Sequence, residues 1–115
     1  GSISIGKSTY INRLVTMVSR VEINIGSEVL IADNVSIYDH DHKTLNSKRP
    51  YGKQGYHSER IVIEDNVWVG SHSVILKGVI IGKNAIIAAG SVVNCSIPPA
   101  ELWGGVPAKF IKKLN

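Results

Sequence analysis

Aliphatic residues recur every six positions along most of this chain. Ile5, Ile11 and Met17 are followed by Ile25, Ile31 and Ile37, then by Ile63, Val69 and Ile75, and then by Ile81, Ile87 and Val93. A period of six is incommensurate with the 3.6-residue turn of an α-helix, and the alternation of an ordinary half-buried strand does not hold such a phase over this length. Four residues after most anchors stands a small or β-branched residue: Thr9, Val15, Val21, Val29, Val35, Val67, Ser73, Val79, Ala85 and Ser91. Gly or Ala often follows the anchor directly, as at Gly6, Gly26, Ala32, Gly70, Gly82 and Ala88. A short strand and a tight bend every six residues carry the chain around the three faces of a triangular prism, so that the anchors stack in columns. The small residue at the fourth place fits a corner with no space for a larger one, and Gly, Asn and Asp ease the bends. The expected fold is therefore all-β, a parallel β-helix of about four coils.

Two interruptions break the phase. Two extra residues between Met17 and Ile25 widen one corner, and twenty extra residues between Ile37 and Ile63 leave the prism as a loop over 39–60. The β-helix is expected to occupy 1–97, with 98–115 as a separate tail. Ile97, Pro98 and Pro99 end the last coil, and Pro107 ahead of Ala108 to Leu114 predicts a short C-terminal helix with Lys109, Lys112 and Lys113 on one face. At the other end, Gly1 to Ile5 enter the repeat with no capping segment. An open solenoid end invites edge pairing, so the chain is expected to be part of something longer.

Composition narrows the class. A chain of 115 residues holds one core, and 43% hydrophobic with 19% charged residues excludes a disordered tail. The single cysteine cannot form an internal disulfide and fits a reducing, cytoplasmic compartment; Cys95 itself reads as a small buried hydrophobe. No apolar run approaches the roughly 20 residues that span a bilayer, so stable membrane insertion is not expected. The net charge of +4 suits any anionic partner. Because the basic residues gather in one loop and one tail without an aromatic stacking platform, nucleic acid is not the expected partner.

The loop opens on Tyr38, Asp39, His40, Asp41 and His42, a concentration of titratable groups where the regular coil stops. His40 and His42 with carboxylates could bind a metal, one histidine could serve as a general base near neutral pH, or the segment could be a polar loop start. A metal would need a third strong ligand, and only His57 and His72 remain as histidines. The expectation is that no metal is used.

Four segments in order resemble one family. Asn34-Val35-Ser36-Ile37-Tyr38 followed by His42, Tyr10-Ile11-Asn12, Asn66-Val67-Trp68-Val69-Gly70-Ser71-His72, and Ile97-Pro98-Pro99 through Gly105-Val106-Pro107-Ala108-Lys109 are similar to motifs of the hexapeptide-repeat O-acetyltransferases that act on maltose, galactosides and bacterial surface polysaccharides. The resemblance implies a left-handed β-helix and homotrimers. It also implies transfer of an acetyl group from acetyl-CoA to a hydroxyl of a sugar or polysaccharide. His42 falls where the family has its catalytic base and Asn12 where it orients the acceptor. Trp68 would supply an apolar wall to the acceptor or acetyl group, with His40 and Tyr38 as neighbours of the substrate. Ser71, Ala89, Asn94, Lys109 and Lys112 fall at positions that contact CoA, although Asn94-Cys95 stands where the family commonly has Thr-Lys.

Counted within the eighteen-residue coil, Asn12 falls in column seven, Trp68 in column five and His42 in column seventeen. Asn12 and Trp68 are thus expected to share one corner and His42 to sit at another, which points to a site built between subunits. An N-acyltransferase acting on an amino sugar or serine-type acceptor, and a non-catalytic structural prism, are the alternatives the same fold allows.

Overall fold

The computed structural model describes residues 1–115. The first coil consists of β1 (Ile3–Ile5), β2 (Tyr10–Ile11) and β3 (Thr16–Val18), and the second of β4 (Ile23–Ile25), β5 (Leu30–Ile31) and β6 (Ser36–Tyr38). An excursion follows, containing β7 (His40–His42), a 3₁₀ turn at Tyr51–Lys53 and β8 (Tyr56–Ser58). The third coil is β9 (Ile61–Ile63), β10 (Trp68–Val69) and β11 (Val74–Ile75), and the fourth is β12 (Ile80–Ile81), β13 (Ile86–Ile87) and β14 (Val92–Val93). The tail adds β15 (Glu101–Gly104) and β16 (Lys109–Lys113).

Three parallel sheets form the faces of a prism. The first face stacks β1, β4, β9 and β12; the second stacks β2, β5, β10, β13 and β15, with β16 at its edge; the third stacks β3, β6, β11 and β14. The register places every predicted anchor in its column. Ile5, Ile25, Ile63 and Ile81 line up on the first face, Ile11, Ile31, Val69 and Ile87 on the second, and Met17, Ile37, Ile75 and Val93 on the third. These columns fill the interior with Ile and Val, and the small fourth-place residues Val29, Val35, Val67, Val79 and Ala85 are buried among them. Ser73 and Ser91, also at fourth places, are fully buried and both donate to the Ala88 carbonyl oxygen, which satisfies their hydroxyls inside a corner.

The corners follow the sequence expectation at Asn34, Asn66, Asn84, Gly78 and Gly90, which take positive φ, and depart from it elsewhere. The left-handed backbone conformation falls three residues after the anchor, and at most corners a non-glycine residue adopts it: Ser8, Leu14, Glu28, Asn34, Asn66, His72, Asn84 and Ala100 all have φ between 54° and 69°. The glycines that follow anchors answer instead to space between coils. A Cβ on Gly70 would sit 2.6 Å from the Ala89 nitrogen, and one on Gly82 would sit 2.5 Å from the Pro99 nitrogen. Left-handed geometry costs a non-glycine residue about 1 kcal/mol. Glu28 is exposed with φ 59°. Glu28→Gly is therefore expected to raise the unfolding free energy by about 0.5–1 kcal/mol, read as a shift of the urea midpoint at unchanged slope. A lowered midpoint would show that the strain is compensated.

The tail is a strand pair where a helix is expected. The last coil leaves the backbone edge of β13 open, and β15 covers it in parallel, with Ala88 donating to the Trp103 carbonyl at 2.9 Å. The chain turns at Gly105, φ 106°, and β16 returns antiparallel. Trp103 continues the inner column above Ile87 and its ring meets Phe110 edge-on at 6.3 Å. Closing a sheet edge and burying Trp103 outweigh the weak local helix signal of a Pro followed by Ala-Lys, and Phe110-Ile111 suits a strand.

Candidate active site

The excursion is a folded hairpin. β7 and β8 pair antiparallel, with His40 opposite Ser58, Asp41 opposite His57 and His42 opposite Tyr56. Beyond them Gln54 bridges the loop, accepting from the Asn46 N–H and donating to the Asn46 and Arg49 carbonyls. A Lys77–Asp41 ion pair at 2.9 Å ties the hairpin to the third coil.

Alternation along the hairpin sorts its histidines. His40, His42 and Tyr56 share one face, while Asp41 and His57 take the other. The rings of the His-x-His pair thus point to one side. The remaining histidines lie elsewhere: His57 is 3.6 Å from Glu59, and His72 accepts from the Asn34 side chain at 2.9 Å in a corner of the prism. No group of three or more His, Cys, Asp or Glu side chains is arranged to hold a metal.

His42 is exposed and lines an open groove of about 770 Å³ with Asp41, Lys43, Thr44, Leu45, His57 and Lys77. An exposed imidazole beside a groove can exchange protons with a bound hydroxyl. His40 is mostly covered: its Nδ1 lies 2.9 Å from the Asp39 carboxylate, and its ring stands edge-on to Tyr38 at 6.4 Å.

Asp39 is fully buried and had no role in the sequence reading beyond its place in the cluster. Its carboxylate accepts from the backbone N–H groups of Arg20, Val21 and Glu22 and from the Ser19 hydroxyl. Burial by itself would raise this carboxyl. The hydrogen bonds from Arg20, His40, Ser19 and Val21 outweigh burial and hold the group well below the usual carboxylate range. Residues 19–22 are the widened corner, so the two extra residues leave backbone donors that Asp39, one coil above, satisfies. An insertion facing a buried acid is the signal that would have found it.

The second face carries the other predicted residues. Its outer column runs Tyr10, Leu30, Trp68, Ile86 and Leu102 in register. Beside it lies an apolar groove of about 470 Å³ that brings together Trp68, Ser71, Ala89 and Lys112 with Ala32, Gly70 and Leu114. A bulge in the β15–β16 pairing sets Lys112 opposite Leu102 and Lys109 opposite Gly104, so both lysines share the outward side although they stand an odd three positions apart on a strand. Asn94 and Lys109 do not line the groove. Cys95 is exposed, which corrects the buried reading: it follows the end of β14, outside the inward columns.

Asn12 is exposed just past β2, with its side-chain oxygen accepting from the Arg13 N–H at 3.0 Å. It therefore lies on the same face as Trp68 but two register positions along, at the opposite end of these two-residue strands rather than at one shared corner. His42 leaves the prism between the third and first faces. Within one chain its groove and the Trp68 groove share no residue.

No helix is long and apolar enough to cross a membrane. The family model for bacterial transferase hexapeptide repeats matches residues 60–95. The galactoside O-acetyltransferase of Escherichia coli K12 is 41% identical over 114 residues, covering 99% of this chain and 55% of that protein. Among solved structures, a hexapeptide-repeat-containing acetyltransferase from Vibrio cholerae in complex with acetyl coenzyme A superposes with a TM-score of 0.91 at 41% identity, over 98% of this chain and 61% of that one. The polySia-specific acetyltransferase NeuO superposes with a TM-score of 0.84 at 31% identity, over 96% of this chain and 48% of that one. The chain spans about half the length of the curated relatives it matches. With the six-residue register, these likenesses fix the fold as a left-handed parallel β-helix, whose third and fourth coils match the bacterial transferase hexapeptide repeat.

Proposed function

We propose that the protein is an acetyl-CoA-dependent O-acetyltransferase that acetylates a hydroxyl of a sugar or polysaccharide in the cytoplasm. The observation that carries this reading is the groove on the second face, where Trp68, Ser71, Ala89 and Lys112 meet. It is apolar along its length and cationic at Lys112, which matches a pantetheine arm ending in phosphates. The similarity to a galactoside O-acetyltransferase and to an acetyl-CoA-bound neighbour supports it.

The chemistry needs little more than a base, because a thioester is already activated and a sugar hydroxyl is a weak nucleophile. His42 removes the hydroxyl proton as the oxygen attacks the acetyl carbonyl. The C–S bond then breaks, and His42 returns the proton to the departing thiolate, with no acyl-enzyme intermediate. Asn12 orients the acceptor and Trp68 walls the acetyl group. Two grooves on different faces of one prism become one site when His42 of one subunit meets the Asn12 and Trp68 face of the next, so the reading includes a homotrimer with intersubunit sites.

Thiol release from acetyl-CoA across a panel of neutral and acidic sugars tests the proposal. Release that depends on one class of acceptor is expected. An amino-sugar or serine preference would favour N-acylation instead, and absence of CoA binding would leave a structural prism.

A further inference from the structure

His42, the base of the proposed reaction, receives no hydrogen bond that would orient its ring; the buried carboxylate in its neighbourhood holds His40 instead. An imidazole on an exposed hairpin samples several rotamers unless packing selects one. The side chain packed against it is Tyr56. The two residues are directly opposed across the hairpin, with ring centroids 4.8 Å apart and planes tilted by 35°. Tyr56 is itself held from two further directions. The Arg20 guanidinium carbon lies 3.6 Å from its ring centroid, and His40 meets it nearly edge-on at 5.6 Å. Both of these supports are fastened to one group, since the Asp39 carboxylate accepts from the Arg20 backbone N–H at 2.8 Å and from His40 Nδ1 at 2.9 Å.

We infer that Tyr56 is a positioning residue that orients His42, and that the widened corner transmits the rigidity of the buried Asp39 to it through Arg20 and His40. The inference rests on the acetyl-transfer reading for its consequence, not for its geometry. The widened corner thereby gains a purpose. Its two extra residues carry Arg20 out to the hairpin, where a cation stacks on the tyrosine face, a contact that fixes the ring without needing the phenol hydroxyl. Cross-strand aromatic pairs of this kind are worth more than their area, because ring geometry as well as burial is selected.

The experiment compares Tyr56→Phe, Tyr56→Ala and Arg20→Gln with the unaltered protein by steady-state kinetics and by NMR of the His42 ring protons. A ring 4.8 Å away displaces those resonances through its ring current. The expected result is that Tyr56→Phe keeps the displaced resonances and a kcat within about twofold, because stacking survives. Tyr56→Ala loses the displacement and at least tenfold in kcat while KM for acetyl-CoA stays within about threefold, and Arg20→Gln falls between them. Unchanged His42 resonances in Tyr56→Ala would overturn the inference, and so would a lost displacement with an unaltered kcat. Should the unaltered protein acetylate no acceptor, the acetyl-transfer reading fails separately, and the His42 χ1 rotamer distribution, read from NMR couplings and expected to broaden in Tyr56→Ala but not in Tyr56→Phe, decides whether Tyr56 orients His42.

Discussion

His42→Ala is expected to reduce acceptor-dependent thiol release about a hundredfold or more while leaving CoA binding intact, since general-base catalysis contributes on the order of 10²–10⁴ and the groove proposed for CoA shares no residue with that of His42. The separation of the two grooves makes a sharper version available. If each site takes His42 from one subunit and Trp68 from its neighbour, His42→Ala and Trp68→Ala chains are each inactive alone, but their mixed trimers contain interfaces where an intact His42 faces an intact Trp68. Refolding the two together should restore a measurable fraction of the activity. Both variants inactive alone and no recovery in verified mixed trimers would mean that each chain builds its own site. An undiminished rate in His42→Ala would remove it as the base and turn attention to His40, which is already engaged by Asp39.

The regular part of the molecule was legible because each coil repeats one physical demand. All twelve anchors lie in the predicted columns, and both interruptions fall where the phase breaks. Of the residues the resemblance assigns to CoA, Ser71, Ala89 and Lys112 line one groove together with Trp68, whereas Asn94 and Lys109 lie outside it. What the sequence did not disclose depends on contacts between coils. The tail reads locally as a helix start, and only the open edge of β13 makes it a strand pair. The corner glycines read as sources of backbone freedom, whereas at Gly70 and Gly82 the next coil's backbone leaves no space for a Cβ. Tyr56 was one of several polar-loop residues until the hairpin register set it against His42. Arg20 and Asp39 are nineteen residues apart in sequence yet joined by a hydrogen bond, because one coil with a widened corner separates them.

Asp39→Asn is expected to be the most destabilising single substitution of a polar side chain in the protein. Three backbone N–H groups and the Ser19 hydroxyl converge on this carboxylate. An amide offers one acceptor oxygen and turns an NH₂ toward donors that already need a partner, and each buried unsatisfied group costs about 1–3 kcal/mol. A loss of about 3 kcal/mol or more follows at neutral pH, and the widened corner should open first, visible as faster hydrogen exchange at Arg20, Val21 and Glu22. The pH dependence carries an independent sign. The carboxyl is depressed in the folded state. Its stabilisation is therefore complete above the ordinary carboxylate value of about 4 and is lost as pH falls below it toward the folded value. Between neutrality and about pH 5 the stability gap between the two proteins should stay constant, and below about pH 4 it should narrow as the unaltered protein loses what the variant never had. A gap that stays constant through that acid range would show that the corner is held by packing and not by the charge. The same measurement bears on function, because a corner loosened at Arg20 also releases the ring that faces His42.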